Sequence, residues 1–351
     1  MAAAVARDHI QGTLEGMLRW TSRALVLTVA AVAVVALSAG VLGDADRPGL
    51  AVPGSATTTP PQPDGPWGTL AGSPNGAALG VLYTPSGIMA PITAAPGDGS
   101  YEVQTPCDAR LVLSSGYPLT GAHIVLDPGH GGEEPGAVGP NGLQEKDLNL
   151  SVALRTAEIL REAGATVVLT RDTDMRMTLA TRAGIAMGLR PVAFLSIHHN
   201  ASPEGPSAIP GTEVYFQVSS TESRRLGGLV VEELRAALTP YGVAWQSNTD
   251  NGAKARVQAA SPTEDYYGVL RRTAGVTAVL SEAGFLSNPP EAELFAREDV
   301  QQAEAEALAR ALTRFVTDEV PADRAFSPSP PTTGPRGGAG GSADGCVDPV
   351  L

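Results

Sequence analysis

From Gly121 onward the chain alternates between short, continuous apolar runs and longer stretches in which apolar residues recur every three or four positions. The first kind reads as strands buried on both faces, the second as amphipathic helices. The expected strands are Ala122–Asp127, Thr166–Thr170, Val192–His198, Thr212–Val218 and Val276–Glu282. The expected helices are Glu145–Ala163, stopped by Gly164, then Thr178–Met187, Glu222–Leu238 and Pro290–Asp318. In the third of these, Leu226, Val230, Leu234 and Leu238 share one face and Pro240 ends it. Such alternation predicts an α/β fold, a largely parallel sheet with helices on both faces. Residues 240–265 fit neither period and are expected to form a long binding loop.

Upstream, Gly80–Leu119 shows short alternating runs broken by Pro85-Ser-Gly87 and Pro96-Gly-Asp-Gly99, the mark of a few short antiparallel strands. A piece of about forty residues is too small to be securely stable alone, so it is expected to pack on the main domain or to use Cys107 as a staple. Arg47–Pro66 is a linker rich in proline, threonine and glycine. Residues Ala24–Gly43 carry no charge, with Arg7, Arg19 and Arg23 before them and Asp44 and Asp46 after. This is an export signal or an N-terminal anchor: twenty apolar residues can span a bilayer, and Ala36-Leu37-Ser38 satisfies the small-x-small rule for cleavage. The division expected is therefore 1–43 signal or anchor, 44–79 linker, 80–120 β-rich segment, 121–320 main domain and 321–351 a Pro/Gly-rich tail, disordered up to Cys346.

Composition narrows the partners. The net charge is −13 and the basic residues are dispersed, so nucleic acid is not an expected partner. Membrane contact is expected only through the N-terminal segment, and the chain is expected to be a monomer. The two cysteines, Cys107 and Cys346, have no metal-type spacing. An exported chain can join them in a disulfide whose long loop contributes roughly 4–5 kcal/mol in the chain-entropy model, less any strain, or can leave two thiols. Spacing leaves both open.

In an open α/β sheet, ligands bind beyond the carboxyl ends of the strands. His130 follows the first strand in Pro128-Gly-His-Gly-Gly132, His198 closes another and Glu282 a third, while Glu145 opens the helix after the glycine turn. Two imidazoles and a carboxylate are the ligand set of a catalytic zinc site with one position open. Taken singly, a histidine in a glycine loop is more often a solvated loop residue, and a helix-opening glutamate more often just favours the helix dipole. Their convergence on one edge is what carries weight. His198 and His199 cannot both point into one site if the strand runs through them, and spacing alone does not choose between them. His123 sits at the wrong end of its strand and reads as structural. Arg171 and Asp172 with Arg182 are expected to form a structural ion pair.

At this point the sequence resembles the zinc-dependent N-acetylmuramoyl-L-alanine amidases of the type 3 class, which cleave bacterial peptidoglycan. The resemblance spans about Ala122–Val316 and rests on four blocks in order: Leu126–Gly132, Gly142–Leu150, Ser196–Asn200 and Ser281–Asn288. It implies a twisted, mostly parallel sheet of about six strands. It also implies one Zn2+ per catalytic domain, held by His130, Glu145 and His198, with Glu282 as the catalytic carboxylate. Asp127 and Asn200 are then candidates to orient the ligands, and His199, where the family usually has a small residue, either faces away or lines the substrate cleft. Glu282 would take a proton from attacking water and return it to the departing amine of L-alanine, with glycan strand and stem peptide lying along the strand ends. The implied location is the periplasm or cell wall, and the implied role is wall turnover or cell separation. The alternatives are a zinc peptidase acting within the stem peptide and a non-catalytic peptidoglycan-binding protein.

Overall fold

The computed structural model describes residues 66–68, 70, 79–202, 205, 211–241, 252–322, 331–334 and 343–351. The apolar segment 24–43, most of the linker, residues 242–251 of the long loop and most of the tail lie outside them. Among the described residues no helix is long and apolar enough to cross a membrane.

Five short strands come first: β1 (Val81–Tyr83), β2 (Met89–Ala94), β3 (Tyr101–Gln104), β4 (Arg110–Leu113) and β5 (Tyr117–Leu119). They form one antiparallel sheet in the order β4-β3-β2-β1-β5. The main domain then runs β6 (Ile124–Pro128), α1 (Glu145–Glu162), β7 (Val167–Leu169), α2 (Leu179–Leu189), β8 (Ala193–Asn200), β9 (Glu213–Phe216) and α3 (Thr221–Leu238). It continues with β10 (Ala253–Lys254), β11 (Arg256–Gln258), β12 (Ser261–Asp265), α4 (Gly268–Arg272), β13 (Ala278–Phe285), α5 (Pro289–Phe295) and α6 (Glu298–Val316). A last strand, β14 (Thr332–Gly334), lies in the tail.

The main sheet has six strands in the order β10-β9-β13-β8-β6-β7. β7, β6, β8 and β13 run parallel; β9 is antiparallel to β13, and β10 runs parallel to β9. Strand periodicity divides the core in two. Ile124, Leu126, Leu195, Ile197 and Val279 pack with α1, α3 and α6, whereas Val125, Phe194, Ala278 and Leu280 pack with α2 and α4. Each such fully buried side chain contributes roughly 1.5–3 kcal/mol, which is what fixes the register: a one-residue slip would turn every strand inside out. The fold is the α/β sheet with helices on both faces that the hydrophobic pattern predicts.

Three local differences from the sequence reading have physical causes. The last helix is two, because Arg297 takes an extended conformation (ψ 133°) at the N-cap of α6 and Phe295 turns inward against the ring of His199. The loop 240–265 holds three short strands, with β11 pairing antiparallel to β12 and parallel to β14. The tail, expected to be disordered, is therefore built into the fold in its described residues. Cys346 is disulfide-bonded to Cys107, and Asp348 accepts hydrogen bonds from Thr105 Oγ1 and Cys107 N, both at 2.7 Å. The β-rich segment both uses the staple and packs on the main domain. Val81 sits in the α2-side core, and Thr178 N and Thr181 Oγ1 donate to the carbonyls of Pro106 and Thr105.

Candidate metal centre

β6 ends at Pro128, opposite Ile197 of the parallel strand β8, which runs on to Asn200, so the turn that follows β6 emerges beside His198. Gly129 N continues the pairing to Ile197 O at 3.0 Å, and the turn then places His130 in the left-handed region (φ 60°), a conformation histidine tolerates better than most. Gly129 itself is dictated by close approach. A Cβ there would lie 2.1 Å from Cε1 of His198, so the imidazole rests on bare backbone. Gly136 is likewise a cradle, its missing Cβ falling 2.4 Å from Glu145 Oε2 and 2.6 Å from His130 Cδ2.

Glu145 is the first residue of α1, and the loop before it folds back so that Ala137 N donates to Glu145 Oε2 at 2.8 Å while Glu145 N donates to Ala137 O at 2.9 Å. Its two carboxylate oxygens face the two imidazoles: Oε2 lies 3.1 Å from His130 Nε2, and Oε1 lies 2.9 Å from His198 Nδ1. His130, Glu145 and His198 each offer one ligand atom, and these atoms all lie within 4.8 Å of one another. Ligands of a tetrahedral ion with bonds of about 2.1 Å stand about 3.4 Å apart, so small shifts would let the three hold a metal ion.

The carboxylates are pushed in opposite directions. Burial opposes the charge of Glu145, but hydrogen bonds from His130 and His198 and electrostatic attraction to them outweigh it and hold the carboxyl well below its ordinary range. Glu282, inside β13 just before its pairing with β8 shifts register and on the α2-side face with Leu280, is raised well above the usual range, first by burial and then by repulsion from Glu145 and Glu213, with Arg256 opposing. Its Oε2 is buried and meets no hydrogen-bond partner among the described residues. The imidazole of His198 is lowered, chiefly by burial and against the pull of Glu145. His130, Glu145, His198 and Glu282 share one cleft of about 390 Å³, whose wall includes Tyr266 and Tyr267. That wall begins just past the 240–265 loop, none of whose described residues lines the cleft.

Asp127 and Asn200 stand beside this group. Asp127, buried, accepts from Thr170 Oγ1, Ser196 Oγ and Arg182 Nη1, each at 2.7 Å. Asn200 lines the cleft and donates to Glu213 Oε2 at 2.9 Å, while Lys254 pairs with Glu213 Oε1 at 2.7 Å. His199 points to the opposite face of the sheet, into the α1–α6 layer. His123 is buried at the other end of β6, where its Nδ1 accepts from Thr166 N at 2.9 Å.

The ion pair expected of Arg171, Asp172 and Arg182 is different in kind. Asp172 is exposed, and the partner of Arg182 is Asp127. Arg171 donates to the carbonyls of Pro128 (3.0 Å) and Gly129 (2.9 Å), and Arg182 to those of Pro128 (2.7 Å) and His130 (2.6 Å). Two guanidinium forks thus grip three successive carbonyls of the turn that carries His130. Sequence reasoning also missed Glu213, which only strand register places opposite Glu282, and Asn149, for which the four-residue spacing from Glu145 on one helix face was an available signal.

The family model for N-acetylmuramoyl-L-alanine amidases matches residues 124–314, more than half of the chain. The chain belongs to this family. It is 34% identical over 215 residues to the Bacillus subtilis protein YqiI, covering 60% of this chain and 94% of that one. It is 31% identical over 216 residues to the germination-specific N-acetylmuramoyl-L-alanine amidase of Bacillus subtilis, covering 58% of this chain and 83% of that one. With the amidase AmiC of Neisseria meningitidis it shares 30% identity over 241 residues, 56% of this chain and 53% of the relative, so it spans about half the length of that amidase. Among solved structures, the amidase AmiC2 of Nostoc punctiforme aligns at 30% identity with a TM-score of 0.47, over 55% of this chain and 96% of that one. The amidase model begins at the first residue of β6, so the β1–β5 sheet lies outside the match.

Proposed function

We propose that the chain is a zinc-dependent N-acetylmuramoyl-L-alanine amidase. It hydrolyses the amide between the lactyl group of muramic acid and L-alanine in peptidoglycan, outside the cytoplasm, in wall turnover or cell separation. The observation that carries this reading is the set of two imidazoles and one carboxylate within 4.8 Å, sharing a cleft with a second, buried carboxyl that has one oxygen unengaged among the described residues. Family membership selects the bond. The Cys107–Cys346 disulfide supports an oxidising, extracytoplasmic location.

His130, Glu145 and His198 would hold the ion. Zinc in such a set supplies a Lewis acid that polarises the scissile carbonyl and lowers the pKa of water. Glu282, ionised, takes a proton from the attacking water. A C–O bond forms at the lactyl carbon, the C–N bond breaks, and the same carboxyl passes the proton to the leaving amine of L-alanine. Gly129, Gly136, Arg171 and Arg182 keep the ligands in place, and Tyr266 and Tyr267 offer ring faces to the glycan or stem peptide.

Mass spectrometry of muropeptides digested by the full chain, with and without a chelator, tests the reading. Intact stem peptides with free L-alanine N-termini, lost with chelator and lost in Glu282→Gln although that variant still binds zinc, are the expected result. Shortened stems would mean a peptidase, and full activity of Glu282→Gln would remove Glu282 from the chemistry.

A further inference from the structure

Between α1, α6 and the sheet, the largely apolar core holds a buried pair of ionisable side chains. There His199 and Glu304, whose side chains are both 0% exposed, meet at 3.1 Å between Nε2 and Oε2. Burying two such groups costs several kcal/mol before their attraction is counted, and an apolar pair of the same shape would pack there without that cost. The pair continues into a chain of hydrogen bonds. His199 Nδ1 lies 2.9 Å from Asn149 Oδ1, and Asn149 Nδ2 donates to Glu145 Oε1 at 3.2 Å and to Gly129 O at 3.3 Å. Both of those oxygens can only accept, so the amide has one possible orientation, and its own oxygen must face a donor on the imidazole. The main chain contributes as well, because His199 N donates to Glu145 Oε1 at 3.1 Å.

We propose that Glu304 and His199 are positioning residues for the metal centre: through Asn149 they fix the carboxylate of Glu145 in the rotamer that meets the ion, from the side of the sheet away from the cleft. Glu304 orients the imidazole and the imidazole orients the Asn149 amide. The amide then holds one oxygen of Glu145 and, at the same time, the carbonyl of Gly129 beside His130. The two ligands supplied by α1 and by the turn are thereby tied to one another. This rests on the metal-binding reading of His130, Glu145 and His198. Groups that orient metal ligands in this way are worth about 10- to 100-fold in affinity.

The test is the paired replacement His199→Phe with Glu304→Met in the full chain. It preserves shape and removes the buried pair as a unit, and the one partner it orphans is Asn149 Oδ1, so the metal-free protein should melt only a few degrees below the native one. Zinc affinity, measured by competition with a chromophoric chelator, should fall about 10- to 100-fold. At saturating zinc, KM should be unchanged and kcat largely restored. Asn149→Ala cuts the chain at its middle link and should weaken zinc by a similar factor; combined with the paired replacement it should add little further. Zinc affinity within twofold of native in the paired variant overturns the proposal, as does a loss that adds fully to that of Asn149→Ala. If the paired variant does not fold, Asn149→Ala alone decides by the same criterion. His130→Ala separates the two readings: if native protein binds zinc no better than His130→Ala, the metal centre itself is refuted and this proposal falls with it.

Discussion

Glu145 and Glu282 are the same side chain in the same cleft, and their surroundings send them in opposite directions. Glu145 receives imidazole and backbone donors on both oxygens, whereas Glu282 receives burial and two like charges. In the proposed mechanism, divergence of this kind separates a metal ligand, favoured as the carboxylate, from a group that must gain and lose a proton. Glu282 has to be ionised to act as a base, so a raised pKa means that activity is lost, as pH falls, at a higher pH than the ordinary value of about 4.3 would give. Glu213 is one source of that rise, and strand pairing sets it directly across from Glu282. Glu213→Gln should therefore move the acid limb of the kcat/KM profile to lower pH. The charge of Lys254, no longer offset by Glu213, would act in the same sense. A limb that stays in place or moves upward would show that Glu213 does not set the proton affinity of the base.

At the scale of elements, the site is a consequence of strand parity and of what grips the strand ends. Parity was legible: the alternation along Ala193–Asn200 sends Ser196 and His198 to one face and Ile197 and His199 to the other, and the structure separates them so. The strand order was not, because pairing of β6 with β8 and of β8 with β13 joins segments far apart in sequence. The same holds for the cradle of the glycine turn. Nothing in Leu169-Thr-Arg-Asp172 says that the arginine will reach the carbonyls of Pro128 and Gly129, or that Arg182 will choose Asp127 over Asp172. Asp127 was the nearer choice only in space, since it faces Ser196 across β6 and β8 inside the α2-side layer. A planar fork is needed to serve Asp127, Pro128 O and His130 O at once, and an ammonium group cannot do it. Arg182→Lys keeps the charge and should still cost about 2–4 kcal/mol of stability, since buried carbonyls and part of the Asp127 carboxylate lose their donors. Zinc affinity should fall with it, because His130 is no longer held by its own carbonyl. Urea denaturation read beside the chelator titration checks both, and a stability loss under about 0.5 kcal/mol would mean that the cradle is redundant with Arg171.

At the scale of the whole molecule, one covalent bond ties the β1–β5 sheet to the tail. Cys107 and Cys346 are 239 residues apart, and between them lies the entire amidase-family match. The tail is also held without the disulfide. Asp348 accepts from Thr105 and Cys107, Leu351 packs on the small-sheet core of Leu82, Ala90, Ile92 and Val103, and β14 pairs with β11. These native contacts and the cross-link act on different states. Contacts stabilise the folded chain and contribute about 1 kcal/mol or so each. The bond instead restricts the unfolded ensemble, by about 5 kcal/mol for so long a loop in the chain-entropy model. Asp348→Ala should thus lower the denaturation midpoint modestly with no change in slope. Cys346→Ser, or reduction of the native protein, should lower stability by about 2–5 kcal/mol and steepen the dependence on denaturant, because the freed unfolded chain exposes more surface. Equal midpoints and equal slopes with and without reductant would show that the bond contributes nothing. A loss from Cys346→Ser no larger than that from Asp348→Ala, with the slope unchanged, would assign its effect to local anchoring of the tail instead.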